Sequence, residues 1–289
     1  MSTHLHETEP KGDSALSVQS SAGAFAAARA EGRGALVGYL PVGYPSVPGS
    51  LAALKALCGD GGDGPGVDLV EVGLPYSDPM MDGPVIQQAG TRALQRGVHT
   101  RDVFAAVEAV RSTGTPAVVM TYWNLVDRYG VEAFARDLAN AGGSGLITPD
   151  LIPDEAGEWL AASDTHGLDR VFLVSPSSSD DRITSTAAAC RGWMYATAVM
   201  GVTGTRTASS SAAPALVARV RSLAPETLVA VGLGVSTGDQ AAEVTGFADG
   251  VIVGSAFVKA LLAAEAAGTP DDLTGLRAIL ADLVEGVRR

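Results

Sequence analysis

The sequence predicts one (β/α)8 barrel of the TIM type, with extra helices lying over its mouth. Three observations predict it. Short β-rich apolar runs alternate eight times with longer amphipathic ones, the order of a parallel sheet wound with helices. The runs are apolar on successive residues, as in Val67, Leu69, Val70 and Val72, which marks strands buried on both faces. A length of 289 residues with 46% hydrophobic content suits a single large barrel domain.

Residues 1–21 are polar and aperiodic and read as a flexible N-terminal tail, leaving 22–289 for the barrel. The strands expected are Ala35–Leu40, Leu69–Gly73, Ala117–Thr121, Gly145–Thr148, Arg170–Val174, Trp193–Thr197, Thr227–Val231 and Gly250–Val253. Amphipathic periods place helices at Ser50–Leu57, Thr100–Ser112, Val131–Ala141, Asp154–Thr165, Asp180–Ala189, Ala213–Ser222, Gly238–Val244 and Asp272–Val287. Val85–Leu94 and Ser255–Ala266 are the extra helices at the mouth. Two connections are long. The Gly/Asp-rich run from Cys58 to Gly66 precedes the second strand, on the stability face of a barrel. The Ser/Thr/Gly-rich run from Ala198 to Ala212 follows the sixth strand, on the catalytic face, and has lid composition.

A net charge of −12 and a pI near 4.7 argue against nucleic acid or an anionic membrane as partner. The N-terminus has no apolar core of a signal peptide, and the apolar stretch near Val251–Ala267 is broken by Lys259 and Glu265. Cys58 and Cys190 have no metal-type spacing and fit a reducing compartment. These features point to a cytoplasmic protein.

The chemistry of such a barrel sits at the C-terminal ends of its strands. The only lysines, Lys11, Lys55 and Lys259, fall in the tail and in helices, so no Schiff-base nucleophile is placed there. His4, His6, His99 and His166 close no strand, which removes a histidine base and a histidine metal site. What remains is Glu71, Asp78, Asp82, Asp150, Thr121, Tyr122 and Tyr195: acid–base chemistry without metal or covalent intermediate. Glu71 stands inside an apolar strand, where burial raises a carboxyl pKa toward a value useful near neutrality. A structural, salt-bridged Glu is the alternative. Tyr122 and Trp123 read as pocket wall.

After the seventh strand come Gly232-Leu233-Gly234-Val235-Ser236-Thr237, and after the eighth Val253-Gly254-Ser255-Ala256. Glycines that admit backbone N–H groups, followed by a helix N-terminus, form a phosphate cradle. Gly204, after the sixth strand, adds a third amide. Read singly, Ser236 and Ser255 are helix caps, with Ser236 and Asp239 as a capping box. Their joint placement at consecutive strand ends favours phosphate, and the lack of arginine in these turns suits a monophosphate.

With these features together, the chain resembles the tryptophan synthase alpha subunit. The likeness runs from about residue 22 to the C-terminus. It is carried by Gly38–Pro45, the run Glu71-Val72-Gly73-Leu74-Pro75-Tyr76-Ser77-Asp78-Pro79-Met80-Met81-Asp82-Gly83-Pro84, Met120–Asn124, Pro149–Pro153, Gly201-Val202-Thr203-Gly204, Val231–Ser236 and Asp249–Ser255. The resemblance implies retro-aldol cleavage of indole-3-glycerol phosphate to indole and glyceraldehyde 3-phosphate. It implies Glu71 as general acid/base, Asp82 as the carboxylate on the indole N–H, and Tyr195 as a phenol near the glycerol portion. Thr203 matches a lid residue that orients Asp82; Gly204, Gly234, Gly254 and Ser255 match the phosphate cradle. It implies no cofactor in this chain, pyridoxal phosphate being carried by a beta-subunit partner in an α2β2 assembly. A stand-alone indole-releasing lyase and a weakly active, activating interaction subunit are the alternatives. The chain departs from the family pattern at Ala198-Val199-Met200 in the lid and at Leu125, where proline is common.

Overall fold

A computed structural model describes residues 20–60, 62, 64–197, 209–232 and 234–289. The expected tail falls on residues 1–21, and its first 19 lie outside the described residues. The strands are β1 (Ala35–Pro41), β2 (Leu69–Gly73), β3 (Ala117–Met120), β4 (Gly145–Ile147), β5 (Asp169–Val171), β6 (Leu173–Val174), β7 (Met194–Thr197), β8 (Val229–Gly232) and β9 (Gly250–Val253). Their order is β5-β4-β3-β2-β1-β9-β8-β7-β6, with every neighbouring pair parallel. β5 and β6 are consecutive and parted only by Phe172. They are one barrel strand, so the nine segments close an eight-stranded ring. All eight expected strands are present, with ends that differ by at most two residues.

Alternation divides the core into two layers. Val37, Leu69, Val118, Ile147, Val171, Trp193, Ala230 and Ile252 form one buried cluster, the barrel lumen. Their strand neighbours Leu36, Val70, Val119, Leu146, Phe172, Met194, Val229 and Val251 belong to a second cluster, packed against the helices.

The helices are α1 (Ala22–Ala30), α2 (Val47–Leu57), α3 (Pro84–Gln95), α4 (Asp102–Arg111), α5 (Trp123–Tyr129), α6 (Val131–Asn140), α7 (Gly157–His166), α8 (Asp180–Ala189), α9 (Ser209–Leu223), α10 (Gly238–Thr245), α11 (Ser255–Ala266) and α12 (Thr274–Gly286). Every expected helix is there, and Asp154–Thr165 divides into a 3-10 turn (Pro153–Glu155) and α7. Two were not expected. α1 is alanine-rich and buries only Ala24, Phe25 and Ala28, too small an apolar stripe to stand out. α5 is two turns long, and Asp150 Oδ1 accepts the Trp123 N–H at its start at 2.9 Å. α9 begins four residues earlier than expected, with Pro214 inside it. Residues 198–208 of the expected lid lie outside the described residues.

A cavity of about 630 Å³ lies under the barrel, lined among others by Arg29, Arg33, Arg221, Arg289 and Asp249. Each guanidinium there faces a carboxylate: Arg29 and Arg221 share Asp249, Arg33 holds Asp68, and Arg289 holds Asp239. This is an ion-pair network of the stability face. Among the described residues no helix is long and apolar enough to cross a membrane.

Candidate active site

Strand alternation places the acid. On β2, Leu69 lines the lumen, so Glu71 and Gly73 face it too. Glu71 is 1% exposed, and among the described residues its Oε2 has no hydrogen-bond partner. Among the described residues no cation pairs with Glu71, which speaks against the salt-bridged alternative. Burial, and then the negative charge of Asp82, push its carboxyl from the ordinary 4.5 up to about 8. At neutral pH Glu71 carries its proton into the lumen.

Between about 4.5 and about 8 the folded chain binds a proton that the unfolded chain has lost, so stability falls as pH rises through that window. Glu71→Gln removes this penalty. Thermal unfolding should give equal midpoints for wild type and variant at pH 5. At pH 9 the variant should be more stable by about 4 kcal/mol; parallel midpoints at both pH values would contradict it.

Asp82 reaches the same chamber from the loop after β2. It is half-buried, and burial raises its carboxyl, while the Tyr122 hydroxyl beside it acts the other way. That hydroxyl donates to Asp82 Oδ1 at 3.2 Å and accepts the Met81 N–H at 2.8 Å. Tyr122 also stacks on Tyr76, ring centroids 5.0 Å apart. Tyr122 is thus more than the wall expected of it: it supplies a donor to Asp82 that Glu71 Oε2 lacks. That contrast favours ionised Asp82 beside protonated Glu71. Trp123 contributes its backbone N–H to Asp150, and Asp150 serves to order that loop. Asp78 is exposed and receives the Ser77 hydroxyl, a turn contact.

Two further phenols face the chamber. Tyr195 extends from β7, where Trp193 and Tyr195 lie on the lumen side. Tyr39, which sequence reasoning passed over, pairs in register with Glu71 from β1. Burial, with the charges of Asp82 and Glu71, holds both phenols well above their ordinary range, so both remain neutral donors. Glycines make room for them. A Cβ on Gly73 would meet the Tyr39 ring at 2.5 Å, and one on Gly254 would meet Tyr39 Cδ1 at 2.9 Å. The available signal for Tyr39 was its place two residues beyond Val37 in an otherwise aliphatic strand.

The expected phosphate turns meet at one end of the barrel, since β8 and β9 are parallel neighbours. Gly234 follows β8 with φ +70° and open space where a side chain would stand. Gly254 follows β9 and Ser255 opens α11, whose first turn has no side-chain cap and no acidic residue. The capping box at the neighbouring helix is corrected by one residue. Thr237 caps α10 by accepting the Gln240 N–H, while the Gln240 side chain accepts from Ser236 N at 2.8 Å. Thr203 and Gly204 lie outside the described residues. Among the described residues no cluster of His, Cys, Asp or Glu could hold a metal ion. Cys190 is partly exposed, and burial pushes its thiol up to about 11, away from nucleophilic use.

The barrel that carries this site fits a family model. Residues 25–282 fit the model described as tryptophan synthase alpha chain. The chain belongs to the tryptophan synthase alpha chain family. The alpha chain of Salinispora arenicola is 60% identical over 265 residues, covering 92% of this chain and 96% of its own length. That of Mycobacterium avium (strain 104) is 58% identical, covering 92% and 93%. A solved structure of Mycobacterium tuberculosis tryptophan synthase is similar with a TM-score of 0.84 at 55% identity, covering 92% of this chain and 97% of that one. A mutant alpha subunit from Pyrococcus furiosus gives 0.76 at 30% identity, covering 88% and 98%. As a tryptophan synthase alpha chain, the protein is a lyase of tryptophan biosynthesis that cleaves indole-3-glycerol phosphate to indole and glyceraldehyde 3-phosphate. An alpha subunit of this enzyme has a beta-subunit partner.

Proposed function

We propose that Glu71 moves the proton in this cleavage, that Asp82 stabilises the charged ring, and that Tyr195 serves the glycerol portion. Glu71, protonated at rest, delivers its proton to indole C3. The ring becomes cationic at nitrogen, where ionised Asp82 accepts the N–H hydrogen bond and opposes the charge. Ionised Glu71 then takes the proton of the glyceryl hydroxyl on the carbon attached to C3. That C–C bond breaks, its electrons return to the ring nitrogen, and indole and glyceraldehyde 3-phosphate leave. Glu71 ends protonated, as it began. The observation that carries this reading is the buried Glu71 carboxyl, raised to about 8 and with its Oε2 unpartnered among the described residues, beside an Asp82 that Tyr122 supplies with a donor.

Gly204, Gly234, Gly254 and Ser255 hold the phosphate in this proposal, and Thr203 of the lid orients Asp82. Gly254 is a poor place to test it, because any side chain there strikes Tyr39. Gly234→Ala is better placed: its cost is the positive φ, about 1 kcal/mol. Calorimetry should find glycerol phosphate bound about tenfold more weakly, as expected when a backbone donor is displaced; unchanged affinity would count against the cradle.

The chemistry calls for no metal or cofactor in this chain, and pyridoxal phosphate is assigned to the beta partner of an α2β2 assembly in the cytoplasm. Residues 22–289 make up the catalytic barrel and residues 1–21 an appended tail, whose last two residues, Ser20 and Ser21, hydrogen-bond to Asp169 of the barrel. Among the described residues Met80, Met81 and Ile152 are the large exposed apolar side chains, 79%, 49% and 39% exposed, in loops that follow β2 and β4. Apolar exposure beside the chamber fits a surface that a partner covers. The test is indole release by the purified chain, alone and with a beta subunit. Strong stimulation is expected; full activity alone would indicate an independent lyase, and no turnover in either case an activating subunit.

A further inference from the structure

The base of the barrel, opposite the chemistry, holds a buried acid that the cleavage does not use. Asp169 opens β5, is 1% exposed, and receives three donors from the segment leading into α1. Ser21 N and Ser21 Oγ each donate to Oδ2 at 2.6 Å, and Ser20 Oγ donates at 3.0 Å. Arg191 Nε stands 3.9 Å from the other oxygen. Gly192 passes directly against this latch, since a Cβ there would be 2.8 Å from Asp169 Oδ2 and 2.9 Å from Ser21 Oγ.

From the latched end, α1 sends Phe25 into the base of the lumen. The Phe25 and Trp193 rings lie 5.5 Å apart between centroids, and Trp193 stacks on Tyr195 at 5.9 Å with planes 28° apart. Among the described residues Trp193 Nε1 has no hydrogen-bond partner, and packing locates that ring. Both ends of the column abut glycine. A Cβ on Gly250 would meet Phe25 Cε1 at 2.7 Å, and one on Gly232 would meet Tyr195 Cζ at 3.0 Å. Close packing without slack transmits a displacement at one end to the other.

We propose that α1 is a positioning element for the reaction: Asp169 latches the helix, and Phe25 and Trp193 carry its seat to the Tyr195 hydroxyl. The inference rests on the assignment of Tyr195 above. Phe25 and Asp169 touch no substrate; they act through the phenol. A plug that merely stabilises the barrel would share every contact just described but would leave catalysis indifferent to whether residue 195 carries a hydroxyl.

A double-mutant cycle separates the two. Phe25→Leu keeps an apolar side chain but withdraws the ring from Trp193. Alone, it should lower kcat about tenfold, less than the roughly 100-fold that a 1 Å misplacement can cost, with KM changed less than about twofold. In the Tyr195→Phe background it should lower kcat no further. Equal losses in both backgrounds, or no loss in the first, would overturn the proposal. Wild-type turnover by Tyr195→Phe alone would instead overturn the assignment of the phenol, and the proposal with it. If Phe25→Leu does not accumulate folded, Ser21→Ala takes its place, with an expected loss of about threefold on the same scale and the same criterion.

Discussion

Glu71→Gln is expected to lower turnover by about 10³- to 10⁴-fold, at the upper end of what one positioned proton donor contributes. Glutamine fills the same space and leaves the lumen neutral, as protonated Glu71 does at rest, so the chamber keeps its shape. It has no proton to give to indole C3 and cannot take one from the glyceryl hydroxyl. An unreactive indolyl phosphate ester should therefore bind within about threefold of wild type, because binding energy shared by ground and transition states is untouched. Steady-state kinetics and calorimetry on the same preparation check both halves. Turnover within tenfold of wild type would remove Glu71 from the mechanism.

Asp82→Asn should cost about 10²- to 10³-fold in kcat, the scale of losing one electrostatic stabiliser of a developing charge. It carries a second signature. The negative charge of Asp82 is one of the two causes that raise Glu71; asparagine removes it, so the Glu71 pKa falls. The alkaline limb of the kcat/KM profile, set in wild type near about 8, should then move to lower pH. A loss of rate with the limb unmoved would mean that Asp82 acts without touching the electrostatics of Glu71. A limb that moves upward would contradict the account.

The barrel was legible because its strands are apolar on both faces and its helices on one, two patterns that differ in period. Glu71 stood out for the same reason, as a charge where Leu69, Val70 and Val72 announce burial. The elements that escaped had weaker signals. α1 buries two alanines and a phenylalanine, and α5 is a two-turn piece whose start is secured by Asp150, 27 positions along the chain. The bond from Tyr122 to Asp82 spans 40 positions, and nothing local to Tyr122 distinguishes a donor from a wall. Tyr39 was hidden by its strand: an aromatic among aliphatics is ordinary core until the glycines facing it, Gly73 and Gly254, are brought beside it by the closed sheet. The latch between Ser21 and Asp169 joins residues 148 apart, and no spacing rule reaches so far.

The most direct test of the account is titration of the Glu71 carboxyl itself, by carbon NMR of glutamate labelled at the side-chain carboxyl. A resonance present in wild type and missing from Glu71→Gln should titrate near about 8, and should shift to lower pH in Asp82→Asn. A Glu71 resonance that titrates near the ordinary 4.5 would mean that no proton waits in the lumen at neutral pH, and would contradict the account.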